Sequence, residues 1–357
     1  MSVQKKRILL LIASMPLLML VTFFFLSRVE DKEQSLLLYE SSPSRGVFTN
    51  WIVNMDTGEK WQVGSSNMEA WRWSPSGKYI LFYAYAQHDR EYTVSGIWVS
   101  DAIGNDLHQI FDDKDSPDIK VRDFRWLTDK VILMNTFDNR DKTGYVYTLN
   151  VATGAFEAFD KGYVVSAALQ GEIWLHGSVN SASTIDYYIM NLEGKHALTS
   201  VGLLDAEYYF FSPDGESWAY FCEKDKTSYI SLCLADVSVK GIENERKIIS
   251  EKREPNVGNW YYMRWSQDGK YIGFHLFNQN TKENRFHAID IATGATIYDW
   301  LYPTKTYADI WSPRNDQIID SDGTLLDLKT GQVHNFFEQT HETTPSSVVD
   351  WRMIEVP

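Results

Sequence analysis

The sequence predicts an all-β fold: a seven-bladed β-propeller closed by strands from both chain ends and preceded by one N-terminal transmembrane helix. Three observations carry that expectation. The first is a hairpin that returns along the chain. It reads Trp71-Arg72-Trp73-Ser74-Pro75-Ser76-Gly77-Lys78-Tyr79-Ile80-Leu81-Phe82, then Phe211-Ser212-Pro213-Asp214-Gly215 into Trp218-Ala219-Tyr220-Phe221, then Trp265-Ser266-Gln267-Asp268-Gly269 into Lys270-Tyr271-Ile272-Gly273-Phe274. A worn copy stands at Trp311-Ser312-Pro313-Arg314. The second is a Thr-Gly turn after a further strand, at Thr57-Gly58, Thr153-Gly154, Thr293-Gly294 and Thr330-Gly331. The third is the run of β-branched and aromatic segments from Leu36 onward, with no stretch of helical periodicity.

The hairpin is the unit. Proline at its first corner sets φ near the type I value, and glycine at its close accepts the positive φ that other residues resist. A third strand then ends on the Thr-Gly turn, and a short fourth follows, such as Glu59-Lys60-Trp61-Gln62-Val63. Units of this kind lie at 68–112, 120–160, 163–199, 206–250, 260–301 and 306–337. Residues 36–63 supply strands two to four of a further unit, and Val348-Val349-Asp350-Trp351-Arg352-Met353 its first strand. The sequence thus predicts seven blades over residues 36–357, about 46 residues each, closed by a strand from each end that pairs otherwise exposed edges.

Ahead of the blades, Lys5, Lys6 and Arg7 precede an uncharged segment from Ile8 to Leu26. Nineteen helical residues rise about 28 Å, the thickness of a bilayer's hydrocarbon core. The positive flank predicts a cytoplasmic segment 1–7, a signal anchor 8–26 and an extracytoplasmic body. A cleaved signal peptide is the rival reading, although Phe23-Phe24-Phe25-Leu26-Ser27-Arg28 offers no small-residue cleavage site. Residues 27–35 form a polar tether, so the body is expected at the cell membrane, single-pass, with the propeller outside.

The 357 residues carry a net charge of −14 and no basic run after residue 7, which argues against a nucleic-acid partner. Two cysteines are too few for a disulfide-built scaffold or a four-thiolate metal site.

The Ser-Pro-Asp-Gly turns and the Asp-x-x-Thr-Gly turns resemble the WD-like repeats of the TolB-type β-propeller family; related blades occur in the propellers of prolyl-oligopeptidase-type peptidases. The resemblance covers residues 36–357 and is strongest in the units beginning near 68, 206 and 260. Two units depart from it: one has Leu127-Thr128-Asp129-Lys130 with neither proline nor glycine, the other only Gln170-Gly171. What the resemblance implies is a binding platform, since such motifs specify fold better than function.

Cys222 and Cys233 fall in the second and third strands of one unit, where matching hairpin positions are cross-strand neighbours. A disulfide is expected there, with two buried free thiols as the alternative. His275 and His287 are expected to match them in the next unit by counting from the preceding phenylalanine, but two imidazoles without a third ligand are read as structural. Arg72, Arg125 and Arg264 each precede the tryptophan that ends a first strand, and alternation turns them away from that ring toward the axis. They form a candidate anion or carboxylate site; alternatively they pair with acids such as Asp123, Glu207, Asp309 and Asp350. Trp71, Trp73, Trp126, Trp265, Trp311 and Trp351 are read as core.

No Gly-x-Ser-x-Gly elbow, His-Glu-x-x-His, phosphate loop or dinucleotide turn is present, and no catalytic residue, metal or cofactor is assigned. The expected function is a non-catalytic, membrane-anchored, extracytoplasmic platform for a protein or cell-envelope partner. The alternative is a ligand-binding or hydrolytic propeller, acting on a glycan or another anionic substrate at the axial channel.

Overall fold

The computed structural model describes residues 33–44, 47–88, 91–138, 143–168, 173–179, 185–193, 210–222, 229–238, 241–252, 261–277, 281–302, 310–339 and 346–355. The first strands are β1 (Glu33–Ser44), β2 (Val47–Asn54) and β3 (Lys60–Val63). Next come β4 (Glu69–Trp73), β5 (Tyr79–His88), β6 (Glu91–Asp101) and β7 (His108–Asp112), then β8 (Ile119–Thr128), β9 (Val131–Asp138), β10 (Thr143–Asn150) and β11 (Phe156–Lys161). β12 (Tyr163–Ala167), β13 (Ile173–Val179) and β14 (Ile185–Asn191) precede β15 (Phe210–Phe211), β16 (Ser217–Cys222), β17 (Tyr229–Ser238) and β18 (Gly241–Lys252). The chain continues through β19 (Tyr261–Trp265), β20 (Tyr271–Phe277), β21 (Asn284–Asp290) and β22 (Thr296–Tyr302) to β23 (Ile310–Trp311), β24 (Gln317–Ile319), β25 (Thr324–Asp327) and β26 (Val333–Asn335). After a short helix at Phe336–Gln339 it ends in β27 (Ser346–Glu355).

The arrangement is an all-β propeller, but the expectation of seven separate four-stranded blades is corrected. Among the described residues five sheets have four strands or more, and a sixth has three. One reason is a single bridge, Val94 opposite Val121, which fuses β4–β7 and β8–β11 into one eight-stranded sheet. Another is that β12–β14 stands as three strands, with residues 194–200, where its fourth was expected, outside the described residues. The transmembrane helix is corrected as well: no helix among the described residues is long and apolar enough to cross a membrane. Residues 8–26, where it was expected, lie outside them.

The two chain ends share one sheet, in the order β27-β1-β2-β3. β1 and β27 run antiparallel with Leu36 opposite Arg352 and Leu37 opposite Trp351. β1 begins at Glu33, inside the expected tether. Its run Leu36-Leu37-Leu38-Tyr39 is wholly buried because the sheet is covered on both faces. Leu36 and Leu38 pack with Trp73, Ile80 and Phe82, while Leu37 and Tyr39 pack with Ile319, Leu325 and Phe336. Each such side chain contributes roughly 1.5–3 kcal/mol by burial, so this strand ties the first hairpin unit to the last.

The turns repeat one hydrogen-bond scheme. Gly77, Gly215, Gly269 and Asn315 each donate their N–H to the carbonyl of the serine three before, at 2.9–3.0 Å. All four have positive φ, from 56° to 80°. In the worn copy Asn315 therefore takes the glycine's place, asparagine being among the side chains that tolerate this region. Where Pro and Gly are both missing, Thr128 Oγ1 accepts from the N–H groups of Lys130 and Val131, so a hydroxyl substitutes for the turn chemistry.

Candidate functional site around the axial arginines

Arg72, Arg125 and Arg264 sit one place before the tryptophans of β4, β8 and β19. The register of β4 on β5 slips between Ala70 and Arg72, that of β19 on β20 between Tyr261 and Arg264, and that of β27 on β1 between Val348 and Asp350. A bulge re-aims the residue that follows it. The same device thus turns Arg72, Arg264 and Asp350, on three different sheets, away from the regular pleat. Adjacent inner strands are clipped together here, because Trp126 Nε1 donates to the Arg72 carbonyl (3.4 Å) and Trp265 Nε1 to the Phe210 carbonyl (3.0 Å).

The structure brings the three arginines together and adds a fourth. Arg72 is half-buried as a residue, yet its guanidinium centre is enclosed. Burial is the main cause that lowers its pKa to about 10; Asp350 opposes the shift, and the charges of Arg264, Arg125 and Arg352 add to it. It stays protonated at neutral pH. Asp350 is nearly saturated by others, accepting from the N–H groups of Trp73 (3.1 Å) and Trp351 (2.9 Å) and from Arg352 Nε (3.3 Å). Asp123 pairs with Arg125 at 2.8 Å. Both acids were among the expected partners; Glu207 and Asp309 lie outside the described residues. The Nε atoms of Arg72 and Arg125 remain buried without a hydrogen-bond partner. Arg72 also lies over the Trp71 ring (5.2 Å) and Arg264 over Phe210 (5.8 Å), contacts that hold a cation without neutralising it.

A second group was not anticipated. Glu40 on β1 and Glu69 at the start of β4 interact electrostatically across the junction of two sheets. Burial, reinforced by the charge of Glu69, raises the Glu40 pKa to about 7. Tyr83 Oη donates to Glu69 Oε2 at 2.5 Å, and burial with this bond raises the Tyr83 pKa. Tyr85 packs edge-on against Tyr83 (5.0 Å) and feels both Glu69 and Asp123. The signal that could have found the pair is the burial of β1 itself, since a glutamate directly after Leu36-Leu37-Leu38-Tyr39 continues an enclosed strand.

The other candidates separate. Cys233 is disulfide-bonded. The β16–β17 register sets position 222 opposite Ser231, so positions 222 and 233 are diagonal neighbours rather than directly opposed. His275 is opposite Phe286 and Phe274 opposite His287, which puts the two histidines on opposite faces. The match between His275 and Cys222 was one place out: the distance from the turn serine is ten residues at Cys222 and nine at His275. His287 stacks on Phe274 and lies 3.6 Å from Asp299, and His275 contacts the Asn284 amide oxygen. Trp73, Trp126, Trp311 and Trp351 are buried, as core residues should be; Trp71 and Trp265 are partly buried against the clusters.

No protein-family model and no curated protein matches the chain. Among solved structures it is similar to a candidate 6-phosphogluconolactonase from Bacteroides fragilis NCTC 9343, with a TM-score of 0.52, 12% identity, and coverage of 92% of this chain and 100% of that one. An oligogalacturonate lyase in complex with manganese gives a TM-score of 0.52 at 11% identity, covering 85% of each chain. TolB from Acinetobacter baumannii gives 0.42 at 14% identity over 74% of this chain, which spans 62% of that one. At such identities the first two likenesses speak to architecture alone, and what they share with this chain is the β-propeller fold.

Proposed function

We propose that the chain is a non-catalytic binding propeller, held at the cell membrane on its extracytoplasmic side, that docks an acidic group of a protein or cell-envelope partner over its axis. The observation that carries this reading is the convergence of Arg72, Arg125, Arg264 and Arg352 in a chain of net charge −14. Clustered guanidiniums are costly to assemble, and their planar forks match carboxylate and phosphate geometry. Extracytoplasmic placement is supported by the bond at Cys233, since structural disulfides persist in oxidising compartments. The test is cross-linking and pull-down from native membranes with wild type and with Arg72, Arg125 and Arg264 all replaced by Gln. The partner is expected with wild type alone; equal capture by a folded triple variant overturns the reading.

A second reading, a ligand-binding or hydrolytic propeller acting on a glycan or anionic substrate, is favoured by Glu40 and Glu69. A carboxyl with its pKa near 7 beside a second carboxylate is a pairing that acid–base chemistry uses. Turnover of polysaccharide substrates lost in Glu40→Gln and Glu69→Gln would support it; absence of turnover by wild type removes it.

A further inference from the structure

We propose that the axial arginines form an oxyanion socket, floored by Gln267 at the end where the inner strands finish, which takes a small multivalent carboxylate, phosphate or sulfate group. This deepens the docking reading above and rests on it. Three layers follow one another along the inner strands. Glu69 begins β4, Arg72 comes three residues later, about 10 Å along an extended strand, and Trp73 ends it. On β19 the order continues past Trp265 into the turn, where Gln267 stands in the place that proline holds in the other copies.

That glutamine is the floor. Its Nε2 donates to the Trp311 carbonyl (3.2 Å) and to the Trp351 carbonyl, so one side chain from the β19–β22 sheet bridges the last residue of β23 and the end-sheet strand β27. Proline could make neither bond. Two backbone carbonyls are satisfied there, and the side chain crosses between inner strands two sheets apart.

The middle layer is built for negative charge. Among the described residues, Arg72, Arg125, Arg264 and Arg352 gather near Asp123 and Asp350, and Asp350 is already engaged by two backbone N–H groups. The unpartnered Nε donors of Arg72 and Arg125 are buried. Burying donors without acceptors is unfavourable, and an entering oxyanion would accept from them. The inner-strand positions equivalent to the arginines on β12, β15 and β23 are Ser166, Phe210 and Ile310, so uncharged side chains, two of them apolar, flank the cationic sector. Low polarity on one side strengthens charge recognition on the other.

Isothermal titration calorimetry of the disulfide-intact full chain at low ionic strength, with citrate, inorganic phosphate and sulfate as separate probes, tests this. One saturable site per chain for at least one probe is expected, and citrate binding without phosphate or sulfate binding would identify the carboxylate source. Arg72→Gln with Arg125→Gln should weaken binding at least ten-fold. Arg125→Gln alone, at a half-exposed position, is the companion should the double variant fail to fold, and it should weaken binding several-fold. Failure of all three probes to saturate, or unchanged affinity in a folded Arg125→Gln, overturns the socket. Partner capture that survives in either case leaves the docking reading standing, so the two failures are distinguishable.

Discussion

The backbone N–H of Trp73 donates to Asp350 Oδ2 at 3.1 Å, joining residues 277 apart in sequence. Through this one carboxylate the end-sheet strand β27 is fastened to β4, and the same carboxylate offsets the charges of Arg352 and Arg72. Asp350→Ala removes an acceptor from buried N–H groups and a counter-charge from enclosed arginines. A loss of about 3 kcal/mol is expected, with Asp350→Asn losing less because its amide oxygen still accepts. Urea unfolding of both variants checks the order; equal losses would show that charge plays no part.

Glu40 gives the fold a pH dependence. Its folded-state pKa of about 7 stands above the ordinary 4.5, so the folded chain holds a proton that the unfolded chain has released. Stability from this group is complete below pH 4.5 and is lost as pH rises toward and through 7. Glu40→Gln removes the effect. Melting temperatures of the variant and wild type should agree near pH 4, separate as pH rises from 4.5 to 7 with the variant higher, and stay apart above pH 7. Parallel profiles from pH 5 to pH 8 would exclude it.

The disulfide of Cys233 is proposed to close on Cys222. Alkylation of denatured, unreduced protein followed by intact-mass measurement should add no label, and two labels after reduction. A loop this short is worth about 3 kcal/mol in the chain-entropy account, so reduction should lower the melting temperature without altering the fold.

Asn315 occupies the left-handed region with φ of 56°. Asn315→Gly should be neutral or slightly stabilising, and Asn315→Ala should cost about 1 kcal/mol. Chemical denaturation of the pair measures the difference, and an alanine variant as stable as wild type would contradict the assigned backbone role.

The features that were legible in the sequence are local. Ser74, Ser212, Ser266 and Ser312 announce their turns because a hydroxyl, a corner residue and a positive-φ residue must occur together within a few positions. The strand at 348–353 was legible because its Asp350-Trp351 repeats the pattern of earlier first strands. The fusion of β6 with β8 was not, since it depends on one Val94–Val121 approach that nothing in either strand encodes. Arg352 was missed because it follows its tryptophan rather than preceding it, and reaches the cluster by pairing with Asp350. Glu40 and Glu69 lie 29 positions apart on separate sheets, so their mutual effect appears only when those sheets meet.

β1 finds its mate in β27, hundreds of residues downstream. At ribosomal speeds of about 5–20 residues per second, the interval between their emergence is on the order of 15–60 s. Throughout that time β1 can pair with β2 along one edge, but its other edge, along Leu36–Tyr39, waits for β27 and stays on show to chaperones and proteases. Nascent chains truncated before Ser346 should therefore be cleared rather than accumulate, which makes the final ten-residue strand the checkpoint for the whole molecule.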